Sequence, residues 1–251
     1  MKSWLELYKK EMYANIFFTT VVSILILVWE LFLFYKLNAW PAELVFGLSF
    51  VPFGFFPFLM LWQGYHSFNR EWKDETIYFL LSLPRSGWQL TLSKLSAGMT
   101  VYTAISIFTM IIIYFVNQNQ IYRFLSMMPE FIDWFYIIKM MVKVLLGYLV
   151  LGLAIFSFSQ FSNLISQFYN RFRGLISIVV YMISVYLVYR VGYLLSYLLE
   201  WLPDIPVQGM FNPGNMMQKV YIGSGSLIGS LIVLTVIFLT GSWLLENHLE
   251  V

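Results

Sequence analysis

Residues 16–35 read IFFTTVVSILILVWELFLFY, a run that carries a single charge, Glu30. A helix rises about 1.5 Å per residue, so about 20 largely apolar residues cross the roughly 30 Å of hydrocarbon in a bilayer. Five further stretches meet the same test: about Leu44–Trp62, Leu95–Val116, Phe135–Phe161, Leu175–Leu195 and Ser226–Leu245. The runs are continuous rather than alternating, which excludes the strands of an outer-membrane barrel. Basic residues precede the first run, but it is too long for a signal-peptide core and no small-residue cleavage site follows. It is expected to remain as an anchor. The expected fold is an all-α integral membrane protein, six transmembrane helices in one domain over residues 1–251.

Composition agrees. Lys, Arg, Asp and Glu make up 11% of the chain and apolar residues 60%, against roughly 25% and 45–50% in soluble domains. A soluble fold of this size has too little charge to cover such a core. Aromatic residues make up 20%, which excludes disorder. A net charge of +2, spread along the chain, excludes nucleic acid as a partner. With no cysteine, disulfides, thiolate metal sites and cysteine nucleophiles are excluded as well.

Lys and Arg near the span ends set the expected orientation. Lys2, Lys9, Lys10, Arg70, Lys73, Arg85, Lys94, Arg171 and Arg173 fall on one side. Lys36, Arg123, Arg190 and Lys219 fall on the other, and Lys139 and Lys143 lie within or at the edge of a span. The bias puts both termini in the cytoplasm, in a multi-pass protein of a plasma membrane. Four pieces lie outside the spans. Trp4, Leu5, Tyr8 and Met12 share one helical face opposite Lys2, Glu6, Lys9 and Lys10, as in a short interfacial helix feeding the first span. Residues 65–94 form the largest cytoplasmic segment, and 117–134 an outer loop. Residues 196–225, with Pro203, Pro206 and Asn212-Pro213-Gly214, are expected to be short broken helices re-entering the outer interface.

The cytoplasmic segment is the most informative. Arg70-Glu71-Trp72-Lys73-Asp74-Glu75 is dense in charge, and the eight residues from Thr76 to Leu83 are largely apolar. Read as one helix, Trp72, Phe79, Leu80 and Leu83 fall along one face, and Pro84 ends it. Ser86 with Gln89 is a capping-box pattern that starts the helix of the third span. An amphipathic helix resting on lipid is the plain alternative.

Six spans, inside termini, an N-terminal amphipathic helix and a re-entrant segment before the last span resemble the permease subunits of type-2 ABC exporters. The family's usual pattern after the second span is an acidic residue, Gly-Thr, a Leu-rich stretch, Leu-Pro, and a basic residue entering the third span. Glu71, Thr76, Leu80-Leu81-Ser82-Leu83-Pro84 and Lys94 match it. Glu75 stands where Gly usually precedes Thr, and Gly87 where a basic residue often follows Ser. The resemblance implies that this segment is a coupling helix, in which Arg70, Glu71, Trp72, Thr76, Phe79, Leu80 and Leu83 meet an ATPase subunit. It also implies a bacterial membrane, a second permease copy (identical or related), and ATP with magnesium held by the ATPase partner.

The chain has no Gly-x-x-x-x-Gly-Lys-Ser/Thr phosphate loop, so it is not expected to use ATP or to be an enzyme by itself. His66 and His248 have no second ligand at His-Glu-x-x-His spacing, no metal site is expected, and Asp74, Asp133 and Asp204 all lie outside the spans. Gly225 and Gly229 suit close helix packing in the last span.

A mid-membrane charge costs about 2.5–3.5 kcal/mol, so Glu30, Lys139, Lys143 and Arg190 need an account. They are candidates for an outer gate with Glu30 as the acidic member; the alternative is snorkelling to the headgroups. Pro52 and Pro57 interrupt the second span among Phe53, Phe55, Phe56 and Phe58, which either line an adaptable chamber or face lipid. Abundant Phe, Tyr and Met favour amphipathic or hydrophobic substrates, peptides or toxins first and lipids or drugs second. A membrane scaffold or immunity protein that binds its target without transport is the alternative function.

Overall fold

The computed structural model describes residues 2–78, 86–126, 134–169, 171–203, 205–208 and 219–247. The helices are α1 (Lys2–Lys36), α2 (Ala42–Leu48), α3 (Val51–Lys73), α4 (Gly87–Ser126), α5 (Trp134–Ser166), α6 (Arg173–Leu198) and α7 (Ser224–Asn247). Among the described residues, six helical segments, with α2 and α3 counted as one, are long and apolar enough to cross a membrane. Each apolar run recognised in the sequence lies within one of them. Phe17, Phe34, Phe58, Met182 and Leu198 stand exposed along these helices. Apolar surface on this scale is what a bilayer covers and water does not tolerate.

Three local features differ from the sequence reading. The first 36 residues make no separate interfacial helix: α1 runs unbroken from Lys2 to Lys36, because it contains neither Pro nor Gly to stop it. The second span is broken between α2 and α3 at Ser49 and Phe50, ahead of both prolines. Pro52 sits in the first turn of α3, where no intrahelical N–H is needed. Finally, the segment before the last span pairs as strands where broken helices were expected. β1 (Ile205–Gln208) and β2 (Lys219–Ile222) are antiparallel, with Ile205 opposite Ile222 and Gln208 opposite Lys219.

The chain packs as two compact units, Met1–Gln63 with Leu92–Phe156, and Gly64–Thr91 with Ser157–Val251. In the first, α4 and α5 interlock through reciprocal small–large pairs. A Cβ on Gly98 would lie 2.5 Å from the Phe156 ring, and one on Gly152 would lie 2.6 Å from the Tyr102 ring. Tyr102 stacks on Tyr148 at 5.2 Å between centroids. Pro57 lies inside α3 and has no N–H to give the Phe53 carbonyl one turn earlier. The Tyr148 hydroxyl donates to that carbonyl at 2.7 Å and takes the place of the missing bond.

In the second unit α7 packs closely on α6, as the two glycines lead one to expect. Cβ atoms on Gly225 and Gly229 would lie 3.0 Å from Leu199 Cβ and 2.9 Å from Leu195 Cβ. The start of α4 docks on the end of α7: a Cβ on Gly87 would collide with the Ser242 carbonyl, and Thr91 shares a hydrogen bond of 2.7 Å with Ser242. The end of α5 is polar yet buried, with Ser157, Ser159, Gln160, Ser162, Asn163 and Ser166 all inside, followed by Gln167 in the turn beyond it. Ser162 bonds Ser177 of α6 at 3.1 Å, hydrogen bonding of the kind that holds helices together in lipid.

Candidate functional site

Two regions bring functional residue types together. One is the connection after α3. The sequence reading has one helix over Arg70–Leu83, but α3 ends at Lys73, and Asp74, Glu75 and Thr76 form a turn. Glu75 has a left-handed backbone, φ 56°. Glu71 is buried, and Thr76 donates its hydroxyl to the Glu71 carboxylate, tying the turn to the helix end it follows. Trp72 is half-buried, with its indole N–H unpartnered, while Ile77 is buried and Tyr78 exposed. Phe79, Leu80 and Leu83 lie outside the described residues, so the apolar face read from the sequence is represented here by Trp72 alone. Helix α4 then begins at Gly87, directly after Ser86, as the capping pattern predicts.

Gly87 is approached too closely for a side chain. With the Ser242 carbonyl against its Cα, and its N–H donating to Glu246 at 3.3 Å, no basic side chain fits there.

The other region is a set of buried charges in the first unit. Lys94 forms an ion pair with Glu11 at 2.7 Å, both nearly inaccessible. Glu11 was not singled out in the sequence, though the signal is visible: it is an acid one turn beyond Tyr8, on the apolar side of the helix. Beyond it, Tyr8 donates to Thr100 at 2.9 Å.

Glu30 is fully buried, and neither carboxylate oxygen has a hydrogen-bond partner. The Ser49 hydroxyl at the α2–α3 break lies against it. Asn117, also fully buried, donates its Nδ2 to Ser49 Oγ at 2.9 Å, and its own Oδ1 is unpartnered. Asn117 occupies a kink in α4, with φ −110° and ψ 19°. Two helix irregularities thus meet at one buried carboxylate. Ser49 and Asn117 were missed in the sequence because neither is unusual until the breaks are seen.

The other sequence candidates fall elsewhere. Lys139 and Lys143 are exposed on α5, and neither is bonded to a Glu30 oxygen. Arg190 is exposed on α6. Of the four phenylalanines, Phe56 is buried and Phe53 half-buried, 5.3 Å apart between centroids, with Phe53 also against Tyr148. Phe55 and Phe58 are 61% and 69% exposed. A small apolar cavity beside Phe56 is bounded by Phe18, Met60, Tyr102 and Gln63, whose Oε1 is unpartnered. No cluster of His, Asp and Glu able to hold a metal occurs among the described residues.

The fold therefore defines a helical protein with six helices able to cross a membrane. No family model, curated protein or solved structure matches the chain.

Proposed function

We propose that the chain is the transmembrane subunit of an ATP-driven exporter of the type-2 ABC class. The observation that carries the reading is the turn after α3. Its left-handed residue, Glu75, stands at the position where that family's pattern has glycine, the residue that takes such a backbone without strain. The following Thr76 bonds back to Glu71, the acidic residue of the same pattern.

On this reading both termini and residues 65–94 are cytoplasmic. Two permease copies pair around a path, and two ATPase subunits dock on the Arg70–Leu83 segments. ATP closes the ATPase pair, and the segment passes that movement to α3 and α4, switching the path from inward- to outward-facing. ATP shifts this equilibrium only by as much as it binds one conformation better than the other. The cargo class is amphipathic or hydrophobic, peptides or toxins first, because the interior offers soft and aromatic side chains such as Met60, Phe56, Tyr102 and Tyr148.

The test is pull-down of an ATPase subunit with the full chain at equal membrane levels. Burying a Leu side chain is worth about 1.5–3 kcal/mol, so Leu80→Asp should weaken capture at least about tenfold. Lys73, exposed at the end of α3, should tolerate substitution. Equal capture by wild type and Leu80→Asp would remove the coupling role.

A further inference from the structure

We propose that Glu30, Ser49 and Asn117 form a binding site for one monovalent cation of the sodium class. The inference does not depend on the exporter reading.

Three oxygens in this cluster have no partner: both of Glu30 and Oδ1 of Asn117. All three residues are fully buried. The donors nearby have other acceptors within reach, and only the Ser49 hydroxyl also lies against the carboxylate. Asn117 Nδ2 donates to Ser49 Oγ at 2.9 Å and to the Ile113 carbonyl at 3.3 Å. The Ser49 hydroxyl donates to the Val45 carbonyl at 3.1 Å. The indole N–H of Trp29, next to Glu30 in the chain, donates to the Leu48 carbonyl at 3.2 Å. The carboxylate thus lies buried beside the Ser49 hydroxyl, with the unpartnered Oδ1 of Asn117 on the residue that holds Ser49, a set of oxygens that a positive charge would satisfy.

One carboxylate matches one positive charge. Lys36, at the end of the same helix, does not supply it: its ammonium rests over the rings of Phe32, Tyr35 and Trp40 at 5.6–5.8 Å. A proton on Glu30 would satisfy the carboxyl against Ser49, whereas an ion would in addition draw on Oδ1 of Asn117, so the two differ in their dependence on sodium. A donor set made only of oxygen selects a hard cation over a soft one. The backbone points the same way, because membrane ion sites form where spans are interrupted, and here an interrupted span and a kinked one meet. An unpartnered acid inside a span is also where function is to be sought.

The experiment measures binding of radioactive sodium to the full chain purified from membranes, at fixed pH, with choline chloride balancing ionic strength. Wild type should bind saturably, about one ion per chain. Glu30→Gln should weaken binding at least about tenfold, and Ser49→Ala and Asn117→Ala, which keep the carboxylate, several-fold. Sodium should also raise the unfolding temperature of wild type and not of Glu30→Gln. Absence of saturable binding, or equal binding by Glu30→Gln, would overturn the site. If Glu30→Gln does not fold, unchanged affinity in both alanine variants overturns it instead. An unfolding temperature that follows pH and ignores sodium would put a proton there and reject the ion.

Discussion

Glu75 holds a left-handed backbone, φ 56°, which costs a residue with a Cβ about 1–2 kcal/mol. Glycine has no such cost but loses more chain entropy on folding. Glu75→Gly should therefore be neutral or stabilising by up to about 1 kcal/mol, and Glu75→Val should destabilise by about 1–2 kcal/mol. Thermal unfolding of the purified chain measures both; a stable Val variant would mean that the turn relaxes to an ordinary backbone at no cost. The Glu11–Lys94 pair calls for a different comparison, because both partners are desolvated. Removing one leaves an uncompensated charge, so Lys94→Met should cost about 3–5 kcal/mol, while Glu11→Leu with Lys94→Met should recover most of it. A double-variant loss equal to the sum of the two single losses would show that the residues contribute separately. Glu11 was legible only as an isolated acid on an apolar stripe, and Lys94 only as a basic residue entering a span. Their pairing depends on helix packing, which no local pattern encodes.

At the scale of helices, Pro57 and Tyr148 act together across α3 and α5. The tyrosine hydroxyl occupies the Phe53 carbonyl that the proline cannot serve. Tyr148→Phe should cost about 1–3 kcal/mol, because the carbonyl is then buried without a donor. In a Pro57→Ala background the alanine N–H returns to that carbonyl, and most of this cost should vanish. Such non-additivity is what a double-mutant cycle measures, and a cost unchanged by Pro57→Ala would mean that the hydrogen bond is incidental. The prolines were visible in the sequence as a kink, but the break falls at Ser49–Phe50. The span cores were legible because about 20 apolar residues have few other uses. The helix ends were not. Helix α3 continues through Tyr65–Lys73, and α5 continues through the buried Ser157–Ser166 stretch, because hydrogen bonds between helices let polar residues stay inside. The strands 205–208 and 219–222 were missed for a related reason. Their pairing is long-range, whereas Pro206 argues locally against a strand.

For the whole molecule, the open question is which side of the membrane each connection faces. Hydropathy identifies six helices able to cross but not their direction; only the basic residues at their ends carry that information. Nine Lys and Arg flank one set of ends, from Lys2 to Arg173, against Lys36, Arg123, Arg190 and Lys219 on the other. Connections rich in these residues stay on the cytoplasmic side, and acidic residues contribute little to the choice. On that bias Ser86, just before α4, is expected on the cytoplasmic side, and Asn212, earlier in the chain than α7, on the outside. The chain has no cysteine, so Ser86→Cys and Asn212→Cys each introduce one thiol on an otherwise unreactive background. In intact cells a membrane-impermeant maleimide should label Asn212→Cys and leave Ser86→Cys untouched until the membrane is opened. An odd number of crossings between the two positions is what makes the outcome decisive. Labelling of both thiols in intact cells, or of neither, would mean that one of the three helices between them does not cross. Labelling of Ser86→Cys alone would mean that the protein is inverted and that the Arg70–Leu83 segment faces away from any cytoplasmic ATPase.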